Sequence, residues 1–375
     1  MQAAFTGCVG LHLNTLRAVP GIKNAAQLHQ VCYRQAREKF PLLPASTVQQ
    51  ARDKALAMFR GWQTKVKQRK RASFPKLTRP LPLRLARENI RLFGEDSMMR
   101  VTTSEGFLWL PLMIPTHYQE MIRWEYGVSE LICFKGTWYV MLTIKTEDVP
   151  SLEGPHFGLD LGVANLAVLA GPDIAVFFDG KPRRYVRGKY LRYRQALQEK
   201  KKMGMVKKSK GREYRWATNC NHQVSRQIVD LVAAQGGVLH VEKLLGIRDR
   251  VKCTRKVNRM IHSWPFAQLL SFIHYKAAMV GVVVVEEDPR HTSQRCSACA
   301  HTERGNRPRQ SKFKCKQCNY EIHADLNAAR NLAAKRASSL GAGGVTPPLS
   351  RERVNRKIHR GNCNLSTSTL EAVAL

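Results

Sequence analysis

The sequence predicts a multidomain protein of mixed α/β and α+β class, with a small four-cysteine segment inserted late in the chain. Three observations support this prediction. The 375 residues exceed one ordinary domain, so two or three domains are expected. The hydrophobic spacing changes along the chain, from a helical period to the strict alternation of β-strands and then to a mixture of both. Two Cys-x-x-Cys pairs lie close together in the last third of the sequence.

The clustered cysteines predict a structural zinc site. Cys296 is paired with Cys299 and Cys315 with Cys318, and fifteen residues separate the two pairs. A two-residue spacer lets each pair present both sulfurs to one tetrahedral ion, and four thiolates leave no open position for chemistry. The intervening segment AHTERGNRPRQSKFK is too polar to bury by itself, so the ion would replace the missing core. Four unconnected cysteines are the alternative.

A strong positive charge predicts a nucleic-acid partner. The chain has 62 Lys and Arg against 28 Asp and Glu, a formal net charge of +34, which repels itself in a compact state unless a polyanion is present. The charge is spread along the whole length, and no apolar run approaches the roughly 18 residues of a spanning helix, so no membrane association is expected. No secretory signal is recognised and the other six cysteines are scattered, which favours a reducing, cytoplasmic location.

The first 80 residues are predicted to be largely helical. The sequence of residues 1 to about 22 is uninformative and leaves open whether this segment forms a strand. Helical spacing then extends from Lys23 to Phe40 and, after a proline break, from Val48 to Val66. The second helix continues into KVKQRKRASFPK, a basic segment that suits contact with phosphate groups.

Alternating hydrophobicity between Leu81 and Lys145 predicts a small antiparallel β domain. The segments that carry the alternation are NIRLF, MMRVTT, FLWLPLMI and ELICFKGTWYVMLTIK. The aromatic residues of this domain could stack on nucleic-acid bases, and their burial in its core is an equal alternative. Pro150 is the boundary expected at its end.

A dense basic run lies in the following domain. Residues Lys181 to Arg215 contain fifteen Lys or Arg against two Glu, together with four tyrosines. Charge runs are usually solvated faces, but this density is difficult to maintain in a compact domain without phosphates. We therefore expect a basic helix that lies along a nucleic-acid backbone.

Three carboxylates occupy positions where a functional role is expected. Asp160 and Glu242 each lie within an otherwise apolar strand pattern, and Asp325 opens a helical pattern just after the cysteines. A buried carboxylate is tolerated when it is paired or coordinates a cation, and for Asp160 pairing with a neighbouring arginine is the structural alternative. If the three face one cleft, two Mg²⁺ ions about 3.5 to 4 Å apart, with Mn²⁺ as a substitute, would offset their repulsion and suit phosphodiester cleavage.

The order of these motifs resembles the nuclease half of TnpB, the transposon-encoded RNA-guided endonuclease family related to type V CRISPR effectors. The motifs are GLDLG around Asp160, HVEKL around Glu242, SWPFAQLLSFIHYKA, TSQRCSAC, CKQC and HADLNAARNL. They cover roughly residues 150 to 336, whereas the N-terminal third is similar only in layout. The resemblance implies an RNase H-like (RuvC) nuclease domain with an inserted zinc ribbon, preceded by a β-barrel wedge domain and a helical recognition insert.

The resemblance also implies residue roles and partners. Asp160, Glu242 and Asp325 match the acidic triad that binds the catalytic Mg²⁺, and the four cysteines match the ribbon. A guide RNA from the transposon end, a double-stranded DNA target cleaved next to a short motif, and one protein monomer per RNA are expected. The location implied is the cytoplasm of a prokaryote, with association to the nucleoid when bound. A catalytically silent RNA-guided DNA-binding repressor is the alternative, and the intact triad favours the nuclease.

These patterns divide the chain into six segments. They are an N-terminal and helical recognition region (1–80), a wedge domain (81–150), the first part of the nuclease domain (151–293), the zinc ribbon (294–320), the last part of the nuclease domain (321–338) and a tail (339–375). The tail is rich in Gly, Ser, Pro and scattered charge, a composition typical of disorder.

Overall fold

The computed structural model describes residues 1–69, 71–119, 121–123, 125–134, 136–145, 149–243, 265–335 and 359–361. The chain divides into two compact units, Met1–Glu147 and Asp148–Leu375. The division falls close to the boundary that the sequence predicts at Pro150. Across the described ranges, none of the helices combines the length and the apolar character that crossing a membrane requires.

Three helices open the first unit. They are α1 (Gln2–Ala18), α2 (Ala25–Lys39) and α3 (Ala45–Lys67). Asn24 caps α2, because its side-chain oxygen accepts a hydrogen bond from the backbone N–H of Gln27 at 2.9 Å. Helices α2 and α3 confirm the two predicted helices. The start of the chain, left open by the sequence, is also a helix, and its buried face includes Phe5, Val9 and Leu13.

Six short strands complete the first unit. They are β1 (Leu83–Leu85), β2 (Ile90–Phe93), β3 (Met98–Thr103), β4 (Gly106–Pro111), β5 (Tyr126–Phe134) and β6 (Thr137–Ile144). They form two antiparallel sheets, one of order β1-β5-β6 and one of order β2-β3-β4. The alternating pattern therefore predicts strands correctly, but the described strands make two separately hydrogen-bonded sheets and not the closed barrel that was expected.

Helices and strands of the first unit share one hydrophobic core. Phe5, Leu28 and Val48 from the helices belong to the same buried cluster as Leu85 and Val101 from the strands. A small sheet and a helical layer each have an apolar face to cover, and here they cover each other. Residues on both sides of the boundary predicted at residue 80 therefore share one core within the unit Met1–Glu147.

A six-stranded mixed sheet organises the second unit. The strands of this unit are β7 (His156–Asp160), β8 (Asn165–Ala170), β9 (Ala175–Asp179), β10 (Val238–Glu242), β11 (Val284–Glu287), the hairpin pair β12 (Lys312–Lys314) and β13 (Glu321–His323), and β14 (His359–Gly361). The sheet has the order β11-β10-β7-β8-β9-β14. Strands β7, β8 and β9 form an antiparallel meander, whereas β10 runs parallel to both β7 and β11.

Four helices within the described residues accompany this sheet. They are α4 (Lys181–Glu199), α5 (Met203–Ala233), α6 (Phe266–Ala278) and α7 (Ala324–Ala334). Parallel strands need long crossovers, and α4 with α5 precedes β10 while α6 precedes β11. Phe157 of β7 lies in one buried cluster with Ile228 of α5 and Ile273 of α6, whereas α7 packs across β7, β8 and β10.

The predicted disordered tail, residues 339–375, lies outside the described residues except for β14. That short strand pairs in parallel with β9 at the edge of the sheet. Residues 336–338, which the sequence assigns to the end of the nuclease domain, also lie outside the described ranges.

Candidate functional site

Two carboxylates lie side by side at the ends of neighbouring strands. Asp160 is the last residue of β7 and Glu242 is the last residue of β10. These strands are parallel, with Leu159 opposite Val241, so the next residues, Asp160 and Glu242, lie side by side. Leu159 and Val241 point into the core shared with α5 and α6. Because side chains alternate along a strand, both carboxylates point to the opposite face of the sheet.

Helix α7 brings the third carboxylate to that face. Asp325 lies in the first turn of α7 and is 9% exposed. The helix packs directly on β7 at Gly158, where an added Cβ would lie 1.8 Å from the backbone oxygen of Ala329. Only glycine allows the two backbones to come so close. The structure thus brings all three predicted carboxylates, Asp160, Glu242 and Asp325, to one face of the sheet.

The charges of the other two carboxylates affect Asp160. Burial, followed by the negative charges of Glu242 and Asp325, raises the pKa of Asp160 well above its ordinary value, while the charge of Arg307 opposes the rise. Burial also raises the pKa of Glu242, and a hydrogen bond from Thr292 works against it. Like charges affect a pKa in this way only at short range, so the site is a repulsive acidic cluster.

Two side chains that sequence reasoning missed hold Asp325. Arg307 donates from Nη2 to Asp325 Oδ1 at 3.1 Å, and Asn165 donates from Nδ2 to Asp325 Oδ2 at 3.0 Å. The Arg307 guanidinium is itself anchored on the backbone oxygen of Gln310. Arg307 is one of several basic residues between the cysteine pairs, and Asn165 merely opens β8, so no local pattern distinguishes either of them.

The four cysteines converge on a second, separate centre. Their Sγ atoms all lie within 4.8 Å of one another, with 3.8 Å between Cys296 and Cys318 and 3.6 Å between Cys299 and Cys315. Sulfurs about 2.3 Å from a common tetrahedral centre would be about 3.8 Å apart, so this geometry could hold a zinc ion. In the part of the chain that the structure describes, no other three His, Cys, Asp or Glu ligand atoms meet this spacing, so the carboxylates lie further apart.

The segment around the cysteines has almost no core of its own. Its buried cluster contains Cys296, Phe313, Cys315 and Ala324, and its sheet is the two-stranded hairpin β12-β13. Burial raises the pKa of the Cys296 thiol to about 12. Burial acts in the same direction on Cys315, but backbone N–H groups of the turn that follows, together with hydrogen bonds with Cys299 and Cys318, lower that pKa to about 7. Thiolate sulfurs are ligands that suit a soft metal ion.

The basic run forms the helical pair α4 and α5. Glu213 of α5 accepts hydrogen bonds from Arg187 and Arg194 of α4, so one of the two acids in the run is neutralised within the pair. Tyr185 and Tyr214 are 68% and 63% exposed. Exposed aromatic rings among basic side chains are typical of surfaces that bind nucleic-acid backbones and bases.

Comparison with known proteins finds a family that matches the region around the cysteines and relatives that match more than half of the chain. Residues 266–332, from α6 through the cysteines to α7, match the family described as Cas12f1-like, TNB domain. The chain is 28% identical over 360 residues to the CRISPR-associated endodeoxyribonuclease Cas12f1 of Sulfoacidibacillus thermotolerans, which covers 82% of this chain and 80% of that protein. It is 28% identical over 259 residues to the TnpB-like protein MJ0751 of Methanocaldococcus jannaschii, covering 65% of this chain and 92% of that protein.

A solved structure shares the fold. The cryo-EM structure of the Cas12f1-sgRNA-target DNA complex matches with a TM-score of 0.67 at 18% identity, over 88% of this chain and 81% of that chain. The protein thus has a Cas12f-like mixed α/β fold with a TNB domain and a four-cysteine cluster. The chain is thus similar to TnpB-like proteins and to the type V CRISPR effector Cas12f1, and the resemblance read from the motifs is confirmed.

Proposed function

We propose that the chain is an RNA-guided, metal-dependent DNA endonuclease of a transposable element, which cleaves its target next to a short motif through a single RuvC-like site. The observation that carries the proposal is the meeting of Asp160, Glu242 and Asp325 on one face of the second sheet. A mixed sheet whose central strands end in two of these carboxylates supports the RNase H-like (RuvC) assignment.

Two nucleic-acid partners follow from the charge and from the relatives. The net charge of +34 and the exposed cations of α4 and α5 require a polyanion. One relative is named an endodeoxyribonuclease, and a Cas12f1 structure contains an sgRNA and target DNA. We assign to this chain a guide RNA from the transposon end and a duplex DNA target, with one protein monomer per RNA and the adjacent motif read by the first unit.

The donor atoms suit two kinds of metal ion. The carboxylates offer hard oxygen ligands, which favour Mg²⁺ or Mn²⁺, whereas the thiolates favour zinc. The raised pKa of Asp160 fits cations at the acidic site, because buried carboxylates that repel one another are stabilised by bound positive charge. We assign two catalytic Mg²⁺ ions to Asp160, Glu242 and Asp325, and one structural Zn²⁺ to the four cysteines.

The chain's own residues have distinct parts in the reaction. Metal ions at this site would supply an activated water and stabilise the leaving oxygen of the phosphodiester. Asp160, which is close enough to both other carboxylates to be affected by their charge, would hold the ions together with Glu242 and Asp325. Arg307 fixes the orientation of Asp325 and adds positive charge at the point where a phosphate must approach three acids.

The test is the substitution Asp160→Ala in the complex with the RNA that co-purifies with the chain. That RNA is sequenced, and a DNA duplex that matches it serves as the target. We expect cleavage in Mg²⁺ to fall by several orders of magnitude while target binding is unchanged, because binding depends on base pairing and on Lys and Arg. Asp173→Ala, at an exposed aspartate between β8 and β9, is the matched control and should cleave like the parent.

Each outcome separates one reading from another. Cleavage is read on a denaturing gel and binding on a native gel. Equal cleavage by the parent and Asp160→Ala would contradict the RuvC-like site. Tight binding without any cleavage by the parent would indicate the silent repressor, and the absence of a bound RNA would remove the guide from the proposal.

A further inference from the structure

A buried threonine fixes the orientation of one of the three carboxylates. Thr292 is 3% exposed and lies in the segment between β11 and the first cysteine pair. Its hydroxyl donates to Glu242 Oε1 at 2.8 Å, and the backbone oxygen of Pro289 lies 3.0 Å from the same hydroxyl. A hydroxyl has one proton to donate, and an ionised carboxylate is the stronger acceptor of the two. The bond occupies one oxygen of Glu242 and prevents free rotation of the carboxylate.

The position of Thr292 is itself fixed by helix α7. Asn331 of α7 is 6% exposed and donates both amide protons, one to the backbone oxygen of Thr292 at 2.8 Å and one to that of Arg295 at 2.6 Å. One turn earlier, Asn327 also donates to the Arg295 oxygen, at 2.7 Å, and accepts from the backbone N–H of Ser297 at 3.0 Å. These two hydrogen-bonded amides lie four residues apart, on one face of the helix.

The backbone before Thr292 adopts a costly conformation. His291 is exposed and has a φ of 64°, in the left-handed region that non-glycine residues rarely occupy. Such a conformation persists only where the surroundings determine it. Here the His291 oxygen accepts from the backbone N–H groups of Gln294 and Arg295, and Asn331 donates to the backbone oxygens of Thr292 and Arg295. The segment is therefore shaped to present one side chain, Thr292, to the acidic site.

We propose that Thr292 is a positioning residue for Glu242 and that Asn331 holds it in place, so that helix α7, which carries Asp325, also sets the geometry of the carboxylate on β10. The inference rests on the proposed function, because it concerns the ligand set of the acidic site. Neither residue touches the reacting phosphate. Their effect on cleavage passes through the orientation of Glu242 and hence through the affinity of the site for its cations.

The first test compares Thr292→Val with Thr292→Ser. Valine has nearly the shape of threonine but lacks the hydroxyl, whereas serine keeps it. Single-turnover cleavage by the RNA-loaded complex is measured across Mg²⁺ concentrations. We expect the Val variant to need about 10- to 100-fold more Mg²⁺ for half-maximal cleavage, with target binding unchanged. The Ser variant should stay close to the parent.

A second readout does not depend on activity. The rise in melting temperature that Mn²⁺ produces in the RNA-free protein is measured for each variant, with Asp160→Ala as the baseline for cations bound elsewhere. We expect a smaller rise for Thr292→Val and a parent-like rise for Thr292→Ser, because only the former leaves Glu242 unoriented. Equal Mg²⁺ and Mn²⁺ dependence in Val and parent would overturn the inference, as would equal impairment in Val and Ser.

Asn331→Leu tests the holding residue. Leucine matches asparagine in shape and removes both donors, so the effect should resemble that of Thr292→Val, and the double variant should be little worse than either alone. Independent, additive losses would contradict a shared path. If Asn331→Leu does not fold, the two Thr292 variants decide the question. If Asp160→Ala cleaves like the parent, the proposed function fails. If cleavage depends on Asp160 but is unchanged in the Thr292 variants, only this inference is refuted.

Discussion

Gly158→Ala is the substitution that tests most directly how this fold builds its acidic site. Gly158 lies two residues before Asp160 on β7, at the point where α7 crosses the strand. An added Cβ would lie 1.8 Å from the backbone oxygen of Ala329 and 2.6 Å from the backbone nitrogen of Ala333. These are backbone atoms of a helix, so no side-chain rotation can relieve the clash.

The size of the effect follows from these distances. Ordinary contact with a Cβ begins at about 3.4 Å, so α7 must withdraw by roughly 1.5 Å, and Asp325 must move with it. A displacement of about 1 Å in a catalytic group costs on the order of 100-fold in rate. Overpacking costs about 1–3 kcal/mol of stability, which lowers the melting temperature of a unit of this size by about 2–12 °C.

The assay combines thermal unfolding with cleavage and binding by the RNA-loaded complex. We expect cleavage to fall at least about 100-fold, with target binding retained, since the basic helices are untouched. Gly188→Ala is the matched control, because Gly188 lies within α4 and its added Cβ would meet only the Arg192 side chain, at 3.6 Å. That variant should be stabilised by about 0.5–1 kcal/mol. Parent-like cleavage and stability in Gly158→Ala would refute the close approach of α7 to β7.

Three further predictions concern the metals and the charge. Cys315→Ser should lose about one zinc ion per chain, as measured by elemental analysis, and should loosen the second unit. Cys133→Ser, at an exposed cysteine of β5, is the control and should change neither property. A parent protein without zinc would refute the ribbon assignment. RNA affinity should fall with salt at a log–log slope of about −0.7 per phosphate contact. Lys189→Ala, on the exposed face of α4, should reduce the magnitude of that slope by about one contact. An RNA affinity that does not change with salt would exclude a basic binding surface. Because the pKa of Asp160 is raised by folding, its ionisation destabilises the folded state as the pH rises above the ordinary range of an aspartate. Without added Mg²⁺ or Mn²⁺, Asp160→Asn should therefore melt at a higher temperature than the parent at pH 7 to 8, and the difference should shrink on acidification. An unchanged or lower melting temperature at neutral pH would contradict the repulsion.

The local patterns of the sequence determined much of this protein. Helical periods predicted α2 and α3, and alternation predicted the strands of the first unit, because each element buries one face and leaves that period in the chain. The four cysteines were found for a similar reason, since a metal site with paired ligands needs a fixed spacing. Asp160 and Glu242 stood out because each is an acidic residue in an otherwise apolar strand pattern, and Asp325 because it opens a helical pattern just after the cysteines.

The tertiary structure decided how these pieces are combined. Strand order placed Asp160 beside Glu242, and Gly158 allowed α7 to deliver Asp325, which no periodicity in the chain specifies. The tertiary structure also joined the helices and strands of the first 147 residues into one unit, because a domain boundary depends on which apolar faces cover each other.

The residues that hydrogen-bond to the carboxylates could not be predicted from the sequence, because they are distant from them along the chain. Asp325 is bound by a residue 160 positions away, Asn165, and Glu242 by one 50 positions away, Thr292. A hydrogen bond between distant segments needs only one donor and one acceptor at the right place in space. It leaves no repeated pattern along the chain, so only the folded molecule shows which polar side chains meet.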